Sequence, residues 1–358
     1  MRIGIDARKI RDTGIGRYID NLVNALLRVD ADAEYVLFLA PEDADSYSYP
    51  RDRVTKVIET SGKYSVREHW SLPLKVKKSG VDLFHAPHYV LPYFMSVPSV
   101  VTVHDIIHLI GPGFGPVSRA YARLMIGSAV ARARLVITVS ESTGEDLKSA
   151  LGVPERKIRV IPNGGGSDFE RASDSEIKKV LDAFGLAQGR YYLFVGSDRP
   201  HKNLEAVFET LRLMDDAACF AIVGRVRDER KRDFDAFGGR VRFIDSVGKD
   251  TIRALYSGAI ALLFPSIYEG FGLPPLEAMA CGTPVVASNS SSIPEVVGDA
   301  AALVDPRDWR SMAETLTRIR ADKAFRDAMV ARGRQRVRLF SWDTMAEKTL
   351  KVYEEALS

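Results

Sequence analysis

Two glutamates that lie eight positions apart, Glu269 and Glu277, flank the most informative stretch of this chain. Between them stand Gly270 and Gly272, where the backbone can come close to a ligand. Proline is tolerated in the first turn of a helix, so the spacing predicts a strand, a tight loop and a helix that begins near Pro275. A helix start collects unpaired N–H groups that bind phosphate. The alternative is an ordinary turn with two solvated acids.

A second candidate site follows an apolar run that ends at Gly196. Arg199 and Lys202 flank the entrance to the next predicted helix. Two cations beside helix amides suit a diphosphate. The alternative is a solvated basic turn.

A third candidate is the pair His104-Asp105, which follows another apolar run. An imidazole at the carboxyl end of a strand can donate to a substrate hydroxyl or stabilise charge near a reacting centre. A structural histidine that caps the strand is the alternative. His85, His88 and His108 are near in sequence, but no carboxylate or cysteine accompanies them at ligand spacing, so we expect no metal site.

Gly14 and Gly16 stand between the first apolar run and the first long helical pattern. They allow the amides of a helix start to approach an anion or a sugar, although a plain tight turn is the alternative. As a dinucleotide-binding motif the segment lacks its third glycine, and no acidic residue clearly ends the second strand. An NAD-dependent dehydrogenase is therefore not favoured.

Short apolar runs alternate with amphipathic stretches along the chain, which is typical of parallel sheets covered by helices on both faces. The predicted strands are 2–5, 35–39, 83–86, 100–103, 135–139 and 159–161, then 192–195, 220–223, 241–244, 261–264, 284–287 and 302–304. We predict an α/β fold of two doubly wound, Rossmann-like domains that face each other across a cleft. Ligands of such sheets bind beyond the carboxyl ends of the strands.

The domain boundaries are set by the polar segment that interrupts this series. Because 163–166 reads Asn-Gly-Gly-Gly, too flexible for a packed element, we place a linker at 166–188. The N-terminal domain is then 1–165 and the C-terminal domain 189–340.

Composition excludes several classes of protein. The 358 residues fit two domains, and a net charge of +3 gives no electrostatic case for nucleic acid as the main partner. Cys219 and Cys281 lie in apolar stretches and are expected to be reduced core residues, as in a cytoplasmic protein. No window has the ~20 apolar residues of a transmembrane helix, and we expect no signal peptide.

Together these motifs resemble the retaining GT-B-fold glycosyltransferases of family four, which use nucleotide sugars. The resemblance covers nearly the whole chain, and the spaced glutamate pair is its most specific motif. The segments that carry it are 13–17, 103–105, 160–163, 195–203, 269–277 and 292–298.

The resemblance implies a role for each candidate residue. Glu277 should hold the ribose hydroxyls of the donor, Glu269 should contact the donor sugar near its anomeric carbon, and Lys202 should neutralise the departing diphosphate. His104 should contact the donor sugar, and Gly16 should supply a backbone contact from the opposite domain. With His104, Lys202 and Glu269 as the catalytic set, the remaining substrate-binding residues are Arg199, Val247, Gly270, Phe271, Gly272 and Leu273. No cofactor and no divalent metal are expected.

Two departures from the family pattern leave the second phosphate-binding cation open. Many relatives carry arginine directly after the glycine that ends the first strand of the second domain, where this chain has Ser197. Relatives with a shorter motif often carry arginine just before the lysine, where this chain has His201. Arg199 or Arg225 can supply the missing charge beside Lys202.

The implied activity is transfer of a hexose from a nucleotide sugar to a glycan or lipid-linked sugar acceptor, as in polysaccharide biosynthesis. GDP-mannose is the favoured donor type, and UDP sugars are the alternative. The C-terminal domain should bind the donor, the N-terminal domain the acceptor, and 341–358 should form a helix that crosses back to the N-terminal domain. The alternative functions are those of a nucleotide-sugar epimerase on the same scaffold and of a non-catalytic nucleotide-sugar-binding protein.

Contact with a membrane is a further hypothesis. Four arginines are interleaved with four apolar residues, as in a helix that meets anionic lipid at the inner face of a membrane. The arginines are Arg119, Arg123, Arg132 and Arg134, and the apolar residues are Leu124, Met125, Ile126 and Val130. The alternative is a core-packed helix with a solvated basic face.

Overall fold

The protein, seen in a computed structural model, is described over residues 1–44, 46–50, 52–166, 168–214 and 219–358. It divides into two compact units. The N-terminal unit comprises Met1–Ile110, Phe114–Gly164 and Trp342–Ser358, and the C-terminal unit comprises Gly111–Gly113 and Gly165–Ser341.

The N-terminal unit is built on a parallel sheet that has seven strands within the described residues, in the order β3-β2-β1-β4-β5-β6-β7. The strands are β1 (Arg2–Asp6), β2 (Glu34–Leu39), β3 (Val54–Ile58), β4 (Leu83–Ala86), β5 (Ser99–Val103), β6 (Leu135–Thr138) and β7 (Ile158–Val160). The helices are α1 (Thr13–Val29), α2 (Glu68–Lys78), α3 (Ile107–Ile110), α4 (Pro116–Arg132) and α5 (Glu141–Leu151), joined by α14 (Trp342–Leu357).

The C-terminal unit repeats the design with a parallel sheet in the order β10-β9-β8-β11-β12-β13. Its strands are β8 (Tyr191–Val195), β9 (Cys219–Val223), β10 (Val241–Ile244), β11 (Leu262–Phe264), β12 (Val285–Ser288) and β13 (Ala302–Val304). Its helices are α6 (Asp174–Ala183), α7 (Leu204–Leu213), α8 (Asp228–Arg232), α9 (Lys249–Gly258), α10 (Leu273–Ala280), α11 (Ile293–Val297), α12 (Trp309–Ala321) and α13 (Lys323–Val337). The two parallel sheets confirm the predicted α/β class with two Rossmann-like domains.

Helix α14 packs against α1 and belongs to the core of the N-terminal unit. Trp342 and Tyr353 are buried there, and Arg28 of α1 pairs with Asp343 at 2.5 Å. The last 17 residues of the sequence therefore complete a domain whose other strands and helices precede residue 165.

The segment 166–188, where the sequence suggests a linker, contains a packed helix. Ser173 and Glu176 form a capping box at the start of α6, and Ile177 and Leu181 are buried where α6 packs against α9. Two apolar residues at i and i+4 are enough for such a helix to dock, even though its composition is polar. Ser167, within this segment, lies outside the described residues.

The glycine run before it is tightly packed, in contrast to the flexibility we expected. Gly164, Gly165 and Gly166 are all buried. A Cβ atom on Gly164 would overlap Trp342, and one on Gly166 would overlap Val337. The glycines are thus required because other chain segments approach closely.

Candidate functional site

The structure brings Lys202 and Glu269 together at the carboxyl edge of the C-terminal sheet. Lys202 ends a short 3₁₀ helix between β8 and α7, and Glu269 lies in the loop between β11 and α10. Lys202 Nζ and Glu269 Oε1 are 2.6 Å apart, and both side chains are mostly buried, with 21% and 15% exposed. An ammonium and a carboxylate in contact here can exchange partners with the charges of an entering ligand.

Asn203 fixes the chain directly after this lysine. Its backbone has a φ of 56°, in the left-handed region. Its amide donates hydrogen bonds to the carbonyls of Pro265 at 3.0 Å and Pro306 at 2.9 Å. The loop that carries Lys202 is thereby tied to the loop that carries Glu269.

Two serines that sequence reasoning left without a role hold the glutamate loop from the other side. Ser291 donates to the carbonyl of Glu269 at 2.7 Å. The hydroxyl of the buried Ser292 lies 2.9 Å from the same carbonyl and 2.8 Å from the carbonyl of Phe271, so its single proton is shared between them. These hydrogen bonds join segments more than 20 positions apart. In the sequence, only the run of serines that ends at Ser292 indicated such contacts.

Helix α10 begins at Leu273, two residues before the predicted start, with Gly272 as its N-cap. Gly272 has a φ of 126°, which only glycine adopts readily. Gly270 and Phe271 are buried in the same loop, and Phe271 packs edge-to-face on Phe340 with ring centroids 5.7 Å apart. The backbone of 270–273, which leads into the first turn of α10, is therefore held rigidly.

Glu277 lies one turn into α10 and is only 6% exposed. Tyr256 of α9 donates its hydroxyl to Glu277 Oε2 at 2.9 Å. The hydrogen bond from Tyr256 fixes the orientation of this buried carboxylate. The sequence offered no signal that would have identified Tyr256.

The remaining predicted residues of this unit lie at the same sheet edge, in the loops that follow its strands. Arg199 and Arg225 are exposed after β8 and β9, and Val247 is half-buried between β10 and α9. Another basic residue, Arg227, donates from Nε to Asp198 at 2.6 Å. Which arginine assists Lys202 at a diphosphate stays a prediction.

In the N-terminal unit, His104 follows β5 with its imidazole half-buried. Nε2 lies 3.0 Å from the carbonyl oxygen of Pro87 and must donate to it, because a carbonyl only accepts. Burial lowers the pKa of His104 to about 4, so the ring is neutral at pH 7 and Nδ1 is an acceptor. His104 can thus accept from a ligand hydroxyl, rather than donate as we expected.

Gly16 is buried in the first turn of α1, and its N–H donates to the carbonyl of Asp12 at 2.6 Å. A Cβ at this position would overlap the carbonyl of Ile10. Packing alone therefore explains this glycine, and its contact with a donor stays a prediction.

The other histidines considered for a metal have hydrogen-bond partners. His85 lies between the hydroxyls of Thr102 at 2.8 Å and Tyr353 at 2.7 Å, and His88 Nε2 is 3.2 Å from Asp6. In the described part of the chain, no three His, Cys, Asp or Glu side chains are grouped where they could hold a metal ion. The absence of a metal requirement remains a prediction.

Two further sequence expectations concern the cysteines and membrane-spanning helices. Cys219 and Cys281 are free, and burial raises the pKa of the Cys281 thiol to about 12. Over the described ranges, no helix combines the length and the hydrophobicity needed to cross a bilayer.

Sequence models of two protein families match the chain. The family described as "Glycosyl transferases group 1" matches residues 181–336. The family described as "Glycosyltransferase Family 4" matches residues 13–164. The two matches fall on the C-terminal and N-terminal units respectively.

Relatives of similar sequence include two O-antigen chain mannosyltransferases. O-antigen chain mannosyltransferase B of Escherichia coli is 27% identical over 96% of this chain and 96% of its own length. O-antigen chain mannosyltransferase RfbU of Salmonella typhimurium is 28% identical over 86% of this chain and 87% of its own.

Solved structures share the fold over nearly the full length. Sucrose-phosphate synthase of Thermosynechococcus elongatus superimposes with a TM-score of 0.81 at 21% identity, covering 99% of this chain and 98% of that one. HepE of Anabaena, solved with UDP and glucose, gives 0.80 at 19% identity, covering 99% of this chain and all of that one.

Proposed function

Because this chain belongs to the group 1 glycosyltransferases with the GT-B fold, we propose that it transfers a hexose, with retention of configuration, from a nucleotide sugar to a glycan or lipid-linked sugar. GDP-mannose is the favoured donor type. The observation that carries the proposal is the Lys202–Glu269 pair beside the first amides of α10, with Glu277 one turn further on.

The chemistry requires that charge be stabilised as the donor breaks. The bond between the anomeric carbon and the diphosphate oxygen is cleaved, which leaves positive charge on the sugar and negative charge on the diphosphate. Lys202 exchanges Glu269 for the diphosphate, and the amides of 272–273 complete its surroundings. Glu269 remains beside the sugar. The acceptor oxygen bonds to the anomeric carbon, and its proton passes to the departing phosphate oxygen.

The nucleoside end of the donor is assigned to Glu277. Its carboxylate, oriented by Tyr256, would accept both ribose hydroxyls. Two mannosyltransferases among the relatives support GDP-mannose, whereas a structural neighbour solved with UDP keeps UDP sugars as the alternative.

The same relatives support a proposal for the acceptor and for the location. Since two of them are named for O-antigen chains, we assign this enzyme to polysaccharide biosynthesis at the cytoplasmic side of a membrane. On α4, Val117, Tyr121 and Leu124 are 82%, 53% and 62% exposed beside the exposed Arg119 and Arg123, which supports peripheral contact with anionic lipid.

Two apolar residues of the predicted set on α4 argue against membrane contact, because Ile126 and Val130 are buried in the core. The membrane contact therefore rests on the first half of the helix alone. Flotation with vesicles of phosphatidylglycerol tests it, and a protein that stays unbound at low salt would contradict it.

The experiment that tests the function is a thermal-shift panel of GDP, UDP, ADP and dTDP sugars, followed by transfer assays with the stabilising donor. A specific donor should raise the melting temperature with its concentration. An epimerase would instead convert the nucleotide sugar without any acceptor, and a non-catalytic binding protein would show the shift without turnover.

A further inference from the structure

A buried lysine without a carboxylate partner lies at the carboxyl end of β1. Lys9 is 3% exposed, and its ammonium hydrogen-bonds to the hydroxyl of Tyr64. It lies 4.2 Å from the ring centroid of Tyr64 and 5.9 Å from that of Tyr89. Among the described residues, it forms no ion pair. Burial lowers its pKa to about 8, which reflects the unfavourable environment for the charge.

The three carboxylates that act on Lys9 are occupied by other cations. Asp12 pairs with Lys63 at 2.8 Å, and Asp6 and Glu68 pair with Arg8. Arg8 Nε and Nη2 donate to the two oxygens of Asp6 at 2.8 and 2.7 Å, and its Nη1 is 2.9 Å from Glu68 Oε2. Asp6, Arg8 and Glu68 are at most 2% exposed. Glu68 Oε1 accepts no hydrogen bond from the described residues, and Glu68 lines the same recess as Lys9 and His88.

Unsatisfied polar atoms are concentrated in the segment 61–69, which covers this recess. Of the 13 buried side-chain atoms without a hydrogen-bond partner in the described chain, four lie in this stretch: Ser61 Oγ, Ser65 Oγ, Glu68 Oε1 and His69 Nδ1. Of these four residues, only Glu68 lines the recess. Buried polar atoms are normally paired, so the unpaired Glu68 Oε1 indicates that a ligand atom completes its hydrogen bonding. The carboxyl edge of a parallel sheet is where a ligand is expected.

Charge decides which kind of ligand fits. Asp6, Asp12 and Glu68 contribute three negative charges and Arg8, Lys9 and Lys63 three positive ones, while burial lowers the pKa of His88 and keeps it neutral. A phosphate or carboxylate would bring an uncompensated negative charge into this balanced recess. A sugar hydroxyl can accept from Lys9 and donate to a carboxylate at the same time, and aromatic rings match the apolar face of a pyranose.

Tyr64 fills the place of such a hydroxyl in the present structure. Its φ of 61° is unfavourable for a bulky residue, and its side chain is 47% exposed on a surface loop. Its departure would relieve the backbone and free one N–H of Lys9.

We propose that Lys9 and Glu68 form the subsite for an uncharged sugar of the acceptor, whose hydroxyls displace that of Tyr64. The inference rests on the proposed transferase function, and it names the acceptor as a neutral glycan end rather than a phosphate or a uronic acid.

The test is saturation-transfer NMR on the full chain. The probes are methyl α-mannopyranoside, methyl α-glucopyranoside and methyl β-galactopyranoside, with mannose 6-phosphate and inorganic phosphate as charged counterparts. At least one neutral glycoside should bind. Lys9→Met should weaken it about tenfold, and Tyr64→Phe, which removes the competing hydroxyl, should strengthen it about fivefold.

Lys77→Met, on the exposed face of α2, is the matched control and should bind as the wild type does. The proposal is overturned if no neutral glycoside binds, if phosphate binds more tightly than the glycosides, or if folded Lys9→Met binds normally. If Lys9→Met does not fold, the exposed Tyr64→Phe decides, since unchanged binding there contradicts displacement.

Donor binding separates this proposal from the function itself. Lys9→Met should keep the thermal shift given by the nucleotide sugar. A wild-type protein that binds glycosides but no nucleotide sugar would refute the transferase and leave the sugar site standing. Transfer activity with an unchanged acceptor KM in Lys9→Met would refute only the sugar site.

Discussion

At the scale of single residues, Lys202 has the most demanding role. In the proposed mechanism its ammonium is the fixed charge that faces the departing diphosphate, and the ion pair with Glu269 holds it in place before the donor arrives. We expect Lys202→Ala to lower kcat by about 10² to 10³, the range seen when one stabilising donor is removed.

Steady-state kinetics on a purified, folded variant measures this effect. Lys178→Ala, on the exposed face of α6, is the control and should leave kcat unchanged. A rate near that of the wild type in Lys202→Ala would remove this residue from the mechanism.

Glu277 should act on binding rather than on the chemical step. Glu277→Ala removes the carboxylate assigned to the ribose, so the donor Kd should rise about tenfold with a smaller change in kcat. Tyr256→Phe, which keeps the carboxylate but removes its orienting hydroxyl, should have the same effect to a lesser degree. Titration of the thermal shift with donor measures both, and equal shifts in all three proteins would contradict the assignment.

The buried histidines predict how stability depends on pH. Burial lowers the pKa of His104 to about 4 and that of His85 to about 3, from an ordinary value of 6.5. For His104, the unfolded chain binds more protons than the folded one between pH 6.5 and about 4. The free energy of unfolding therefore falls as the pH falls through this range. The loss from His104 alone is on the order of a few kcal/mol.

Urea unfolding at a series of pH values measures this dependence. The free energy of unfolding should fall steadily below pH 6.5. His104→Gln, which cannot titrate in this range, should show a shallower fall. An equal slope in both proteins would show that folding does not lower the pKa of His104.

Sequence reasoning reached part of this residue-level picture. Lys202 and Glu269 could be expected to meet because each follows a strand of one parallel sheet, and parallel strands end at one edge. Tyr256 and Ser292 could not be expected, since each reaches the site from a distant segment by a single hydrogen bond.

At the scale of elements, periodicity found the buried strands and missed an exposed one. The strand β3 forms the edge of the N-terminal sheet and buries only Val54 fully, so its sequence lacks the continuous apolar run of a central strand. The start of α10 was misplaced because Leu273 follows a glycine with a positive φ, a backbone state that proline spacing does not reveal.

The loop before α10 offers a test of how it is held. Ser292→Ala removes the donor to the carbonyl of Phe271 and leaves the carbonyl of Glu269 with Ser291 as its donor, so we expect about 1–3 kcal/mol of destabilisation together with weaker donor binding. Ser290→Ala is the control, because Ser290 lies in the same segment as Ser292, between β12 and α11, and no such hydrogen bond is described for its side chain. Chemical denaturation and donor titration measure the two effects, and full stability in Ser292→Ala would mean that the loop is held by other contacts.

At the scale of the whole molecule, the glycines at 164–166 mark the passage of the chain from one unit to the other. Because a Cβ on Gly164 would overlap Trp342, Gly164→Ala should destabilise the protein by about 1–3 kcal/mol. Gly14→Ala, where a Cβ meets open space, is the control. Differential scanning calorimetry measures this effect. An unchanged melting temperature in Gly164→Ala would indicate that the run is flexible, as the sequence suggests.

The position of α14 sets an order of events during synthesis. The C-terminal unit is drawn almost entirely from one continuous stretch and can fold as soon as that stretch leaves the ribosome, whereas the N-terminal sheet, made first, waits for Tyr353 and its neighbours. Nascent chains halted before residue 342 should therefore expose apolar surface on α1 and bind chaperones more strongly than chains that already carry α14.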